Sequence, residues 1–180
     1  MTTTPAPGFV LWLTGLPSSG KSTLAQALAG RLRAGGIVVQ VLDSDELRKV
    51  LTPEPTYTTE ERDWFYATLL FIAGLLVKNG VNVVIAATAS RRRYRERARS
   101  RLPQFAEIFV YCPPAVCRER DPKGLWEQAA QGEIDSLPGA GAPYEPPLTP
   151  EVQVDTSELT VAEGVDLIWR WLQVNRFVNL

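Results

Sequence analysis

Residues 15–22 read Gly-Leu-Pro-Ser-Ser-Gly-Lys-Ser and directly follow an apolar run at 9–13. This is the spacing of a phosphate-binding loop set between a strand and a helix. Backbone N–H groups of such a loop, together with the helix N-terminus, cradle a polyphosphate. Gly15, Leu16, Pro17, Ser18, Ser19 and Gly20 form the turn, where glycine permits backbone geometry that a Cβ hinders. Lys21 is placed to reach β- and γ-phosphates, and the Ser22 hydroxyl to ligate Mg²⁺. Thr23 follows into the helix. The ligand expected is therefore a nucleoside triphosphate. A second group of reactive side chains lies at 42–48, Leu-Asp-Ser-Asp-Glu-Leu-Arg. The chain has no histidine, so a general base has to be a carboxylate or another non-imidazole group. Of Asp43 and Asp45, one can hold Mg²⁺ directly or through water. The other can accept a proton from an attacking hydroxyl. Capping of the next helix by Asp43 or Ser44 accounts for the same residues equally well, and both readings stay open at this point.

These residues need a frame that brings them together. Short runs rich in Val and Ile occur at 37–42, 81–87, 108–112 and 152–154, in addition to 9–13. Near-continuous apolar runs of this length fit parallel strands covered on both faces. Helical patterns separate them at 22–33, 60–78, 91–101, 115–120, 125–131 and 161–173. Asn79-Gly80 is a good stop signal for the longest. The alternation predicts an α/β fold, a parallel sheet of about five strands with helices on both faces. Ligands of such sheets gather at the C-terminal strand ends, and Asp43 and Asp45 fall at the end of the second. Residues 137–150 are too rich in proline for a helix. They read as an ordered surface loop, and loops of that length are usually functional.

At 180 residues the chain is expected to form one domain, 1–180, with a flexible start at 1–7 and a substrate loop at 137–150. A net charge of −1 gives no global field for nucleic acid or a membrane surface. No apolar run approaches bilayer length, and the first residues lack the pattern of a secretion signal. The two cysteines, Cys112 and Cys117, read as ordinary thiols of a cytoplasmic protein. The third strand ends in Thr88-Ala89-Ser90 without an aspartate. That argues against a motor or switch ATPase and for a small-molecule kinase. The arginines of 91–101 read mostly as a solvated helix face, with one or two near the helix start available to an anionic substrate. Arg118 and Arg120 fit a lid that closes over phosphates and excludes water.

Taken together, these motifs resemble the adenylylsulfate (APS) kinase family over about residues 8–150. The family loop G-L-x-x-[SA]-G-K-S-T matches residues 15–23, and D-G-D-N-x-R matches at Asp43, Asp45 and Arg48. The D-R pair before a long helix matches in part at Glu61-Arg62. R-D-x-K-G-L-[YW] matches at Arg120, Asp121, Lys123, Gly124, Leu125 and Trp126, and A-x-x-G-x-I at Ala129, Gly132 and Ile134. P-Y-E-x-P matches at Pro143, Tyr144, Glu145 and Pro147. The resemblance implies transfer of the ATP γ-phosphate to the ribose 3′-hydroxyl of APS, giving PAPS and ADP, with Mg²⁺. It implies that Lys21, Asp45 and Lys123 are catalytic, with Asp45 the base or orienting group. Ser22 and Asp43 would attend the metal. Arg48, Arg62 and Lys123 would bind APS, beside Thr88 and Ala89, with Tyr57 and Leu137 on the two sides of its adenine. Arg118 and Arg120 would belong to the lid over ATP. The PAPS would feed sulfate reduction or sulfotransfer.

The chain also departs from the family pattern. Ser44 and Glu46 replace a Gly and an Asn. The N-x-R-R of the long helix reads Phe65-Tyr66-Ala67-Thr68, and I-S-P-Y-R reads Thr88-Ala89-Ser90-Arg91-Arg92. No phosphoenzyme is expected at Ala89. The losses on the long helix fall in the expected acceptor pocket, which motivates two rivals. One is a kinase of the same fold for another anionic nucleotide or sugar nucleotide. The other is a non-catalytic nucleotide-binding module. Trp169-Arg170-Trp171 packs either a second copy, giving a homodimer, or the core, and both stay open.

Overall fold

The structure is a computed structural model that describes residues 6–178, so most of the flexible start expected at 1–7 lies outside the described residues. Among these residues five strands form one all-parallel sheet in the order β2-β3-β1-β4-β5. They are β1 (Val10–Thr14), β2 (Val39–Asp43), β3 (Asn82–Ala86), β4 (Phe105–Tyr111) and β5 (Val152–Asp155). Every β1 residue is buried, which is why its sequence is apolar without alternation.

Among the described residues seven helices connect and cover the strands: α1 (Lys21–Ala34), α2 (Ser44–Leu51), α3 (Thr59–Lys78), α4 (Arg92–Arg101), α5 (Pro114–Arg120), α6 (Leu125–Ala130) and α7 (Val161–Val174). One sheet face carries α1 and α7, where Leu28, Leu32, Ile168 and Leu172 pack on Leu11, Leu13, Ile108 and Val154. The other carries α3 and α4, where Phe65, Leu69 and Ala98 pack around Trp12, Val83 and Ile85. Each such large side chain contributes about 1.5–3 kcal/mol by leaving water. The helix starts follow local chemistry. Thr160 and Glu163 form a reciprocal capping box on α7, and Thr58 Oγ1 accepts from Glu61 N on α3 at 3.2 Å.

Three readings of the sequence change. β4 begins at Phe105 rather than 108, because Glu107 within it is buried and neutralised by Arg95. Arg95 is accordingly no solvated arginine but 1% exposed, donating also to the carbonyls of Ala89 and Glu145. Trp169 is buried in the core, and Trp171 lies 5.0 Å from the Phe177 ring. That settles the C-terminal aromatic segment as core packing.

Candidate active site

The C-terminal ends of the strands open onto one cavity of about 1020 Å³. From β1 the chain enters the loop at 15–20. A Cβ at Gly15 would stand 2.2 Å from the Val110 carbonyl oxygen, and Gly20 has a φ of 90°, so both positions require glycine. Ser19 is fully buried, and its carbonyl accepts from Thr156 Oγ1 at 2.9 Å. This bond ties the loop to the end of β5. Lys21 donates to the Leu16 carbonyl at 2.7 Å, folding its ammonium back across the loop. Burial lowers the Lys21 pKa to about 8, against the opposing pull of Asp45, Cys117 and Asp43.

Asp43 ends β2 and serves two partners. Its Oδ1 accepts from Asp45 N at 2.8 Å, capping α2, and its Oδ2 accepts from Ser22 Oγ at 2.5 Å. The cap left open by the sequence is therefore real, and it leaves the second oxygen facing the loop hydroxyl. One residue into α2, Asp45 accepts an ion pair from Lys123. Arg48, one turn further, is nearly buried. Its guanidinium lies 3.9 Å from the Phe65 ring centroid and 5.1 Å from that of Tyr57. Its Nη1 pairs with Glu61 at 3.1 Å. Arg62 also lies 5.2 Å from the Tyr57 ring centroid and donates to the carbonyls of Tyr57 and Ser136.

Most residues singled out in the sequence line this cavity. Pro17, Ser18, Gly20, Lys21, Ser22 and Thr23 form its loop side. Asp43, Asp45, Arg48, Tyr57 and Arg62 form a second side, and Thr88, Arg120, Lys123 and Leu137 complete it. Five do not reach the wall. Gly15 and Ser19 underlie the loop, and Leu16 packs with Trp126 and Cys117. Ala89 is fully buried, its N–H donating to the Tyr66 hydroxyl at 2.9 Å. Arg118 stacks over Trp126 at 5.5 Å outside the wall. The arginines at the start of α4 are also spent elsewhere, Arg91 and Arg92 on Glu145 and Arg93 on Asp63.

Sequence reasoning missed Tyr66, Ser136 and Thr156, all on the wall. Thr156 was findable, because it follows the end of β5, where ligands of this fold gather. There it accepts from Arg120 Nη1 at 3.0 Å.

A model of the adenylylsulphate kinase family matches residues 7–155. The chain belongs to the adenylylsulphate kinase family. An adenylyl-sulfate kinase of Rippkaea orientalis is 42% identical over 166 residues, covering 92% of each chain. A probable adenylyl-sulfate kinase of Pyrococcus abyssi is 42% identical over 163 residues, covering 91% of this chain and 94% of the relative. Among solved structures, the APS kinase of Mycobacterium tuberculosis in complex with AMPPNP and APS superposes with a TM-score of 0.88 at 31% identity. The match covers 94% of this chain and 99% of that one.

For an adenylylsulphate kinase, the departures on α3 are specific in place. Ala67 and Thr68 do not line the cavity. Phe65 is fully buried beneath Arg48. Where the family pattern has Asn, this chain supports the cationic wall from below.

Proposed function

We propose that this kinase transfers the γ-phosphate of ATP to the ribose 3′-hydroxyl of APS, giving PAPS and ADP. The observation that carries the reading is the meeting of Lys21, Asp45, Arg48 and Lys123 on one cavity, in a chain whose family is adenylylsulphate kinase. ATP binds by its phosphates to the loop N–H groups and Lys21. APS presents its anionic phosphosulfate to Arg48 and Arg62, and its adenine lies between Tyr57 and Leu137. The 3′-oxygen attacks the γ-phosphorus in line, and the bond to the ADP oxygen breaks. Asp45 orients the hydroxyl and receives its proton. Lys123 aims the Asp45 carboxylate and, with Arg120, neutralises charge on the transferred group. The work is mostly positioning and electrostatics.

Ser22 and Asp43 suit Mg²⁺, since a hydroxyl and a carboxylate oxygen 2.5 Å apart are the hard donors it takes. Among the described residues no cluster of three or more His, Cys, Asp or Glu could hold a metal on its own, and the ion would arrive with the nucleotide phosphates. The chemistry it would supply there is neutralisation of charge on the phosphates.

We read residues 1–180 as one kinase domain, supported by the single sheet shared by all five strands. We place it in the cytoplasm, supported by its two unpaired cysteines. Among the described residues no helix is long and apolar enough to cross a membrane. The test is ADP release with APS against other nucleotide and sugar-nucleotide acceptors. Turnover with APS is expected; turnover of another acceptor and none of APS would overturn the proposal.

A further inference from the structure

Tyr66 stands at the unspecified position of the N-x-R-R pattern, next to the Asn that reads Phe65 in this chain. Neighbouring rings hold it in place. It stacks on Tyr94 at 4.4 Å, meets Phe65 edge-on at 5.4 Å and lies 6.3 Å from Trp12. Tyr94 is itself fixed, because its hydroxyl donates to Asp63 at 2.7 Å. Tyr66 is only 6% exposed, yet it lines the cavity beside Arg48, Arg62 and Thr88. Its hydroxyl oxygen accepts from Ala89 N at 2.9 Å. Among the described residues the hydroxyl hydrogen has no acceptor, although buried O–H groups are ordinarily satisfied. Burial raises the Tyr66 pKa above the ordinary tyrosine value, against the opposing charges of Arg48 and Arg62, so the group keeps its proton.

We infer that the Tyr66 hydroxyl donates this hydrogen to the phosphosulfate of the acceptor, and that Tyr66 is thereby a specificity-determining residue in a chain that lacks the Asn of the family pattern. The inference rests on the reading of APS as the acceptor. The two arginines beside Tyr66 supply charge, but much of their hydrogen-bonding capacity is spent on the protein. Arg48 Nη1 donates to Glu61 at 3.1 Å and to Thr52 at 3.3 Å. Arg62 donates through Nε to Tyr57 and through Nη2 to Ser136. A phosphosulfate has several non-bridging oxygens, and the remaining N–H groups leave room for a further donor. The Tyr66 hydroxyl feels the charges of both arginines, which puts it next to the anion they neutralise. With its oxygen tied to Ala89 and its ring clamped, the O–H is set before the acceptor arrives, and little ordering is needed on binding.

Tyr66→Phe tests it by removing the hydroxyl and keeping the ring. Hydrogen bonds to charged groups are strong ones, so the KM for APS should rise roughly 10- to 100-fold. The KM for ATP and kcat should stay nearly constant, as for a lost contact made equally in ground and transition states. An unmoved KM for APS would overturn the inference. So would equal rises in both KM values, which would leave the hydroxyl only the structural task of satisfying Ala89 N. A wild type that does not turn over APS would overturn the acceptor reading and this inference with it; wild-type turnover beside an unmoved KM in the variant overturns this inference alone. A second measurement needs no substitution. In the full chain carrying ¹³Cζ-tyrosine, with ADP present to fill the phosphate loop, the Tyr66 resonance should shift on adding APS and hold its place with adenosine, which lacks the anion. A Tyr66 signal indifferent to APS, or moved equally by adenosine, would also overturn the inference.

Discussion

Lys123, in the segment between α5 and α6, pairs with Asp45 on α2, 78 positions earlier in the chain. The pair joins the motif following β2 to the motif following β4 across one cavity, which is the arrangement a two-substrate transfer needs. Asp45→Ala is expected to lower kcat about 10²–10⁴-fold while ATP affinity stays nearly constant. Steady-state kinetics with ATP binding measured separately checks this. An unchanged kcat removes Asp45 from the mechanism.

The aromatic support of Arg48 makes a second prediction. Phe65→Leu keeps an apolar side chain but removes the ring face 3.9 Å from the guanidinium. A cation–π contact of this kind is worth ~0.5–2 kcal/mol, or about 2- to 30-fold. The KM for APS should rise by that factor, with the KM for ATP unmoved and Phe65→Tyr close to wild type. Equal changes in both KM values would mean that Phe65 supports only the fold.

Lys21 gives the pH dependence. Burial holds its pKa down to about 8 in the free enzyme, and only the protonated ammonium attracts phosphate. Below that pH the group is charged, so kcat/KM for ATP should be level there and fall as the pH rises through about 8. Lys21→Ala should remove this limb and cost ~10²–10³-fold in rate. A profile flat to pH 10 contradicts the role of Lys21.

Arg95 is expected to govern stability rather than chemistry. It neutralises Glu107, and it reaches the carbonyls of Ala89 and Glu145. Arg95→Met leaves Glu107 charged and buried, and breaking such a pair costs ~3–5 kcal/mol. Denaturant unfolding should show a loss of that size. A loss below ~1 kcal/mol would mean that solvent or Arg99, 3.6 Å from Glu107, replaces the pairing.

What the sequence makes legible is what is local. The loop at 15–22 declares itself through spacing over eight positions, and β1 through an apolar run buried on both faces. The start of β4 is hidden because Glu107 interrupts its apolar pattern, and the cation that permits its burial lies 12 positions away on α4. Arg95 and Arg97 look alike in sequence, and only the direction each faces on α4 separates a core ion pair from a solvated side chain. Among site residues, Asp45 and Lys123 are legible by motif, but no spacing announces that they touch. Phe65 reads as a lost Asn, because its value lies in the Arg48 side chain above it.

The most direct measurement is the identity of the product when the protein is given Mg-ATP and APS, followed by ³¹P NMR. The account predicts one new phosphomonoester on the ribose 3′-oxygen of APS, formed in step with ADP. ADP without that phosphate, or phosphate on any other acceptor in preference to APS, would contradict it.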